Sequence, residues 1–407
     1  MGGERLRALS VELRLALLVG ALSGSASALF LRGLDWVTHY RLQHPQWLWI
    51  LPFTGILGIT LYQWIHPAAT RGTNALLDQI QSPSEGVSWR MAPLVLIATW
   101  LSHLGGASVG REGTAVQMGG SLASSIAARW PSQISTAITL GIAAGFGSVF
   151  GTPFAGAVFA IEVPVRGQLA LARLPGSLLA AWIGDQVCRA WGTQHALYPA
   201  SFAASQWFSP LLLQVALAAI AFGLAGRLFI QITHAVGSIQ TRWTHREWAR
   251  IVAGSLAIWA LCRALDTRDY LGIGTLAHES QSVTLFTAFS EGGAHPTSWL
   301  WKLIFTALSI GSGFRGGEVT PLFFIGATLG NTLAALLGTP TDAFAALGLV
   351  CVFCAASHTP WTGAILGAEL FGASSFPFFL IANRIAHGCC GSAQLYAAQK
   401  DLGRRPK

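Results

Sequence analysis

The feature that most restricts this chain is a series of apolar blocks broken too often to form a bundle of straight membrane helices. They fall at about 14–34, 47–66, 91–106, 112–129, 136–163, 174–192, 207–232, 250–264, 297–312, 320–338, 342–356, 359–372 and 375–387. A helix needs ~20 apolar residues to cross a bilayer. Several blocks are shorter, and Gly or Pro interrupts many of them. Non-helical backbone at membrane depth is tolerated only where it is buried in protein or lines a cavity. The pattern therefore predicts an all-α membrane protein with broken and re-entrant helices, the material of transporters. Only 10% of residues are charged, against roughly 25% in a soluble domain, which argues against a soluble enzyme. The formal charge of +8 is dispersed between apolar blocks and does not form the basic stripe of a nucleic-acid binder. A lipid bilayer is the expected partner, and no nucleic acid is.

The longest polar connectors, around 235–250 and 266–296, leave no room for a separate soluble domain, so residues 1–407 read as one transmembrane domain. Arg5, Arg7 and Arg14 precede the first apolar run without a small-residue cleavage site, so that segment is expected to be retained. Cys351 and Cys354 form a C-x-x-C with no second pair. They are expected to pack as apolar residues, and neither a metal nor a cofactor is expected.

Self-comparison divides the chain in two, at about residue 200. Thr152-Pro153-Phe154-Ala155-Gly156-Ala157 with Glu162 recurs as Thr359-Pro360-Trp361-Thr362-Gly363-Ala364 with Glu369, an offset of 207. An offset of 206 sets Gly110-Arg111-Glu112-Gly113-Thr114 against Gly316-Gly317-Glu318-Val319-Thr320, and Gly120 against Gly326. Each half then holds a Gly-flanked Glu opening an apolar helix, followed by a Thr-Pro helix ending in Glu. Related halves with interrupted helices hold substrate between them near the midplane.

Ten Glu occur in the chain, and Glu112, Glu162, Glu318 and Glu369 lie in or at the edge of apolar blocks. An ionisable group at membrane depth is costly and points to function. Glu162 and Glu369, at the ends of Thr-Pro helices, are expected near an interface in structural hydrogen bonds. Glu112 follows a glycine-rich loop at a helix start, where backbone N–H groups and the helix dipole bind anions. Its carboxylate competes for that site when ionised and leaves when protonated, which suits a proton carrier. The loop 311–321 with Glu318 repeats the device.

These residues resemble the CLC family of chloride channels and proton-coupled anion transporters. GREGT at 110–114, followed by Gln117, Gly119 and Gly120, is similar to the family's GREGP. GGEVTP at 316–321 is similar to GGIFAP, and Tyr396 in QLYAAQ to the family's late tyrosine. The resemblance implies a CLC-type fold of two inverted halves. It also implies Glu112 as gating glutamate, Tyr396 in the central pore, a homodimer with one pore per subunit, and both termini cytoplasmic in the cell membrane.

Departures narrow the resemblance. Where chloride-type members carry a GSGIP-like loop, this chain has Arg71-Gly72-Thr73-Asn74-Ala75, with Thr73 in the serine position. The inner proton glutamate of chloride exchangers falls on Val163, while Glu318 and Thr320 replace Ile and Ala of GGIFAP. These changes resemble the fluoride-exporting branch. That branch implies fluoride/proton antiport giving fluoride resistance, with Glu112 and Glu318 coupling protons. The anion would then lie among Gly72, Thr73, Asn74, Gly110, Arg111, Gly113, Val319, Thr320, Phe324 and Tyr396. Phe324 stands for one of the branch's paired pore phenylalanines, and Leu76 occupies the partner position. A small, tightly hydrated anion needs several short-range donors to replace its water, which Thr73, Thr320, Tyr396 and backbone N–H groups supply. A chloride channel or chloride/proton exchanger is the alternative. A membrane enzyme would need a paired catalytic set, and His103 beside Ser102 has no evident partner.

Overall fold

The computed structural model describes residues 2–200, 202, 210–279 and 281–401, without the side chains of residues up to 9 or of Pro131. The side chains of Arg5 and Arg7, and the basic tail of Arg404, Arg405 and Lys407, lie outside the described residues. Those residues form fifteen α-helices and no strand beyond two isolated bridges. They are α1 (Gly2–Gln43), α2 (Leu51–Ile65), α3 (Thr73–Gln81), α4 (Met91–Gly105), α5 (Glu112–Ile126), α6 (Ile134–Phe150), α7 (Pro153–Glu162), α8 (Leu174–Ala190), α9 (Leu211–Trp243), α10 (Glu247–Leu265), α11 (Ser298–Ser312), α12 (Val319–Leu337), α13 (Thr341–Ser357), α14 (Pro360–Phe371) and α15 (Phe376–Cys390). Five spans are long and apolar enough to cross a membrane: Ser10–Gln43, Pro45–Ile65, Leu211–Trp243, Glu247–Leu265 and Val319–Leu337. By contrast α5 has 15 residues, about 22 Å at 1.5 Å per residue, short of the ~30 Å hydrocarbon core. α7, with 10 residues, is shorter still. The broken-helix expectation is met.

A single offset of 207 relates the halves throughout. It carries α4 onto α11 (15 residues each), the start of α5 onto that of α12, α6 onto α13 (17 residues each) and the start of α7 onto that of α14. It also maps the left-handed C-caps Gly106 onto Gly313 and Gly151 onto His358. The 206 register expected for the two loops is therefore corrected. Glu112, first residue of α5, corresponds to Val319, and Glu318 corresponds to Arg111. The helix start is set by backbone hydrogen bonding, so a shared Glu one residue out of step does not mark the same place.

Small residues seat the repeated pairs. A Cβ on Gly119 would lie 2.1 Å from the Gly141 carbonyl oxygen, and one on Gly326 would lie 1.9 Å from that of Gly348. The two crossings are 207 apart on both helices, so Gly119, not Gly120, is the partner of Gly326. Gly120 instead packs on Leu76. Such close approach is what stacks helices where lipid gives no hydrophobic drive for association.

α7 and α14 cap each other. Glu162, at the end of α7, accepts from the N–H groups of Trp361 (3.0 Å) and Thr362 (2.7 Å) and from the Thr362 hydroxyl (2.7 Å). Glu369 accepts from the N–H groups of Phe154 (3.1 Å) and Ala155 (2.8 Å) at the start of α7. The two helices are thus antiparallel about a local twofold, which makes the halves inverted. Both glutamates are structural, as expected. Glu162 is fully buried at the seam between halves rather than near a wet interface. The connector 266–296 also departs from a solvated loop, for Tyr270, Leu271, Ile273, Leu285 and Phe289 are buried in it.

Candidate functional site

The starts of α5 and α12 meet where the two glycine-rich loops pair. Gly110 N–H donates to the Gly317 carbonyl (2.5 Å) and Gly317 N–H to that of Gly110 (2.8 Å), an antiparallel bridge between twofold-related residues. The backbones must nearly touch there, since a Cβ on Gly317 would lie 2.7 Å from Gly113 N. Only glycine permits that approach.

Glu112 projects across this bridge and is fully buried. Its Oε2 accepts from the Thr320 N–H (3.0 Å) and the Thr320 hydroxyl, and its Oε1 accepts from Arg111 Nε (3.1 Å). The carboxylate therefore occupies an anion position at a helix N-terminus. The donors belong to α12 of the other half, not to the loop of Glu112 itself. Val319, first residue of α12, is buried beneath it.

Glu318 makes the reverse approach. A Cβ on Gly113 would lie 3.4 Å from Glu318 Oε2, so this carboxylate sits at the start of α5. It retains partial exposure, and no ion pair reaches it among the described residues. Tyr396 is buried and close enough to Glu318 for the two to interact electrostatically.

Tyr396 lies on a strap after α15 that α3 holds in place. Ala398 N–H donates to Asn74 Oδ1 (3.0 Å), while Gln81 Nε2 donates to the carbonyls of Ala398 (2.8 Å) and Pro164 (3.0 Å). Gln399 Nε2 donates to the carbonyls of Val163 (2.8 Å) and Ser357 (2.9 Å). Thr73 is buried at the start of α3, where Gly72 turns the chain at φ +55°. Thr73 and Tyr396 are thus carried by two segments joined through Asn74. Asn74 anchors the strap with its carbonyl oxygen and keeps only its NH₂ for other partners.

The structure brings Glu112, Arg111, Gly110, Gly113, Val319, Thr320 and Glu318 into one cluster. Thr73, Asn74 and Tyr396 form a second, linked to the first by Glu318 near Tyr396 and by Gln117 of α5, whose Nε2 donates to Thr73 Oγ1 (3.4 Å). Phe324 is fully buried. Its ring lies under Lys302 Nζ (5.2 Å to the centroid) and edge-on to Tyr270 (6.2 Å). Leu76 is fully buried against Gly120.

Two participants were not read from the sequence as site residues. Gln117 was visible only as part of a motif. Tyr198, stacked on Phe286 (5.4 Å) and Phe289 (5.6 Å), comes near enough to Arg111 and Glu112 to interact with both charges. Nothing in its local sequence, LYPA, signals that position.

The chain matches the family model described as voltage gated chloride channel over residues 54–391. It is 42% identical over 397 residues to a chloride/fluoride channel protein of Pseudomonas syringae pv. tomato (strain ATCC BAA-871 / DC3000), covering 95% of this chain and 86% of that one. A solved CLC-type fluoride/proton antiporter superposes with a TM-score of 0.90 at 34% identity, covering 97% of this chain and 98% of that one. A slow cyanobacterial chloride/proton antiporter shares the fold, with a TM-score of 0.75 at 20% identity over 94% and 95% of the two chains. With paired inverted halves and two Gly–Glu loops meeting at their helix starts, the chain is a multi-pass membrane protein and belongs to the voltage gated chloride channel family.

Proposed function

We propose that this protein is a fluoride/proton antiporter of the cell (cytoplasmic) membrane that exports fluoride and so confers resistance to it. The observation that carries the reading is the Glu112 carboxylate held by the Thr320 amide and hydroxyl. An acidic side chain at an anion position is displaced by an anion only when it gives up its charge or swings away. Proton uptake and anion binding are thereby tied to one group. HF is a weak acid that crosses bilayers, so a cell in acid surroundings accumulates fluoride, and export driven by the proton gradient opposes this.

Within this reading Glu112 and Glu318 carry protons. Thr73, Asn74, Thr320, Phe324, Tyr396 and the backbone around Gly72, Gly110, Arg111, Gly113 and Val319 would contact the anion. The halves divide near residue 200, the termini are cytoplasmic and the working unit is a homodimer. The exposed stripe Leu213, Leu217, Ile220 and Leu224 on α9 offers an apolar face to lipid or to a second copy. The relatives named above support fluoride as substrate.

One observation favours a second reading, a passive chloride channel of the same fold, over a chloride/proton exchanger. Val163 places a fully buried apolar side chain where chloride exchangers carry their inner proton carboxylate. Efflux from liposomes containing the purified protein separates the two, using a fluoride electrode, a chloride electrode and a pH indicator in parallel. Fluoride efflux that drives protons uphill, with chloride efflux at least tenfold slower, is expected. Chloride efflux as fast as fluoride, or fluoride flux without proton movement, would overturn the proposal.

A further inference from the structure

Three basic side chains are buried together with no ion pair to an acid among the described residues. Lys302 of α11 is fully buried, Arg41 in the last turn of α1 is 6% exposed, and His103 in the last turn of α4 is 1% exposed. No salt bridge among the described residues involves any of them. Lys302 Nζ donates to the carbonyls of Gly272 (2.7 Å) and Tyr270 (3.1 Å) and faces the Phe324 ring. Arg41 Nε is buried without a hydrogen-bond partner, and the His103 ring is buried with no close one, only the Gly110 backbone lying within electrostatic reach.

All three converge on one turn, Gly272-Ile273-Gly274, whose glycines have φ +56° and +80°. A Cβ on Gly272 would lie 3.1 Å from Arg41 Nη2 and 3.8 Å from His103 Nδ1, and one on Gly274 would lie 3.4 Å from Lys302 Nζ. The missing side chain of Gly272 leaves a space bordered by Arg41 and His103, with Lys302 bonded to the Gly272 carbonyl, while at Gly274 the Phe324 ring, 2.7 Å from where a Cβ would lie, fills the place beside Lys302. Leu42 and Trp301, chain neighbours of Arg41 and Lys302, line with Asp269 and Tyr270 a cavity of about 1340 Å³. The acids nearest in the chain, Asp266 and Asp269, belong to the cavity wall, and Asp269 is engaged by the Val283 N–H (2.8 Å). On its other side His103 approaches the backbone of Gly110, two residues before Glu112.

Burying a charge without a partner costs several kcal/mol. Buried polar groups left without hydrogen bonds are rare enough in native proteins to call for a missing partner. We infer that the space around Gly272 is a second anion-binding site, formed by Arg41, His103 and Lys302, which takes a small monovalent anion from the cavity. It holds that anion behind Arg111 and Glu112, where its charge compensates the cluster. The inference deepens the anion-transport reading and rests on it for biological purpose, though not for the chemistry of binding.

The test is calorimetric titration of the detergent-purified full chain with sodium fluoride and, separately, sodium chloride. Wild type is compared with Lys302→Met, which keeps the stem and removes the charge, and with Lys302→Arg, which restores a cation. Wild type should bind one more equivalent of halide than Lys302→Met, or bind it at least tenfold more tightly, and Lys302→Arg should recover the difference. Equal stoichiometry and affinity in wild type and Lys302→Met would overturn the site, the lysine then being held uncharged by its two carbonyl acceptors. If Lys302→Met does not fold, His103→Leu removes ring donors without touching Lys302 and is read in the same way. Binding is measured without a gradient. Two-site halide binding by a chain that moves no anion in liposomes would keep this site and reject the transporter reading.

Discussion

At the scale of single residues, the chemistry depends on how two carboxylates differ. Glu112 is ion-paired with Arg111 and bound by Thr320, whereas Glu318 faces the start of α5 with no ion pair among the described residues. In the proposed mechanism Glu318 passes protons on from Glu112, in the role that Val163 cannot fill. Glu112→Gln should abolish fluoride-driven proton movement in liposomes, and wild-type proton uptake in that variant would reject the gate. Glu318→Gln keeps the shape but cannot titrate, so it should lose coupling by at least tenfold. Retained coupling, with fluoride binding lost only in Glu318→Ala, would instead make Glu318 a support for its own loop. Thr73 is bonded to Gln117 and tied to Tyr396 through Asn74. Thr73→Met should therefore change the fluoride-to-chloride rate ratio several-fold, measured with paired electrodes. An unchanged ratio in folded protein would shift selectivity to the remaining NH₂ of Asn74.

The element scale carries the stability argument. The caps at α7 and α14 are twofold equivalents, yet their surroundings differ. Glu162 is fully buried and satisfies two amides and a hydroxyl, while Glu369 is partly exposed and satisfies two amides. Buried donors stripped of their acceptor cost about 1–3 kcal/mol each, and water reaches the Glu369 end more easily. Glu162→Ala should therefore lower the unfolding midpoint in detergent clearly more than Glu369→Ala, and equal shifts would contradict the asymmetry. Gly326→Ala is expected to be worse than either, costing about 3 kcal/mol or more, because its Cβ would lie 1.9 Å from a backbone oxygen that cannot move alone. Thermal unfolding of the purified variant, or its failure to accumulate, checks this. Some helix boundaries were legible in the sequence, since Pro153 and Pro360 open helices and Gly106 and Gly313 close them in left-handed conformation, whereas the apolar run 136–163 hid the break between α6 and α7. What each Glu caps was not. A capping acid within its own helix leaves an i, i+3 pattern, whereas these acids serve helices about 200 residues away.

Over the whole molecule, the amino-acid sequence alone determined the membrane class, the repeat of roughly half the chain, the short interrupted helices and the four glutamates in or beside apolar blocks. Each is written in local composition: few charges, apolar runs of the wrong length, glycine at turns and acid where acid is costly. It also carried the family resemblance, which the later comparisons bear out. Tertiary structure alone decided the register. The 206 match of Glu112 with Glu318 is a coincidence of letters, and the 207 offset of the folded halves pairs Glu318 with Arg111. It likewise placed Thr320 on Glu112, the strap carrying Tyr396 on Asn74, and Arg41, His103 and Lys302 around one glycine turn. In each case the partners lie far apart in the chain or on different helices. Local pattern can specify that a helix ends or a donor is free, but which donor meets which acceptor depends on how the inverted halves close on each other, and that is set by the sum of all their contacts.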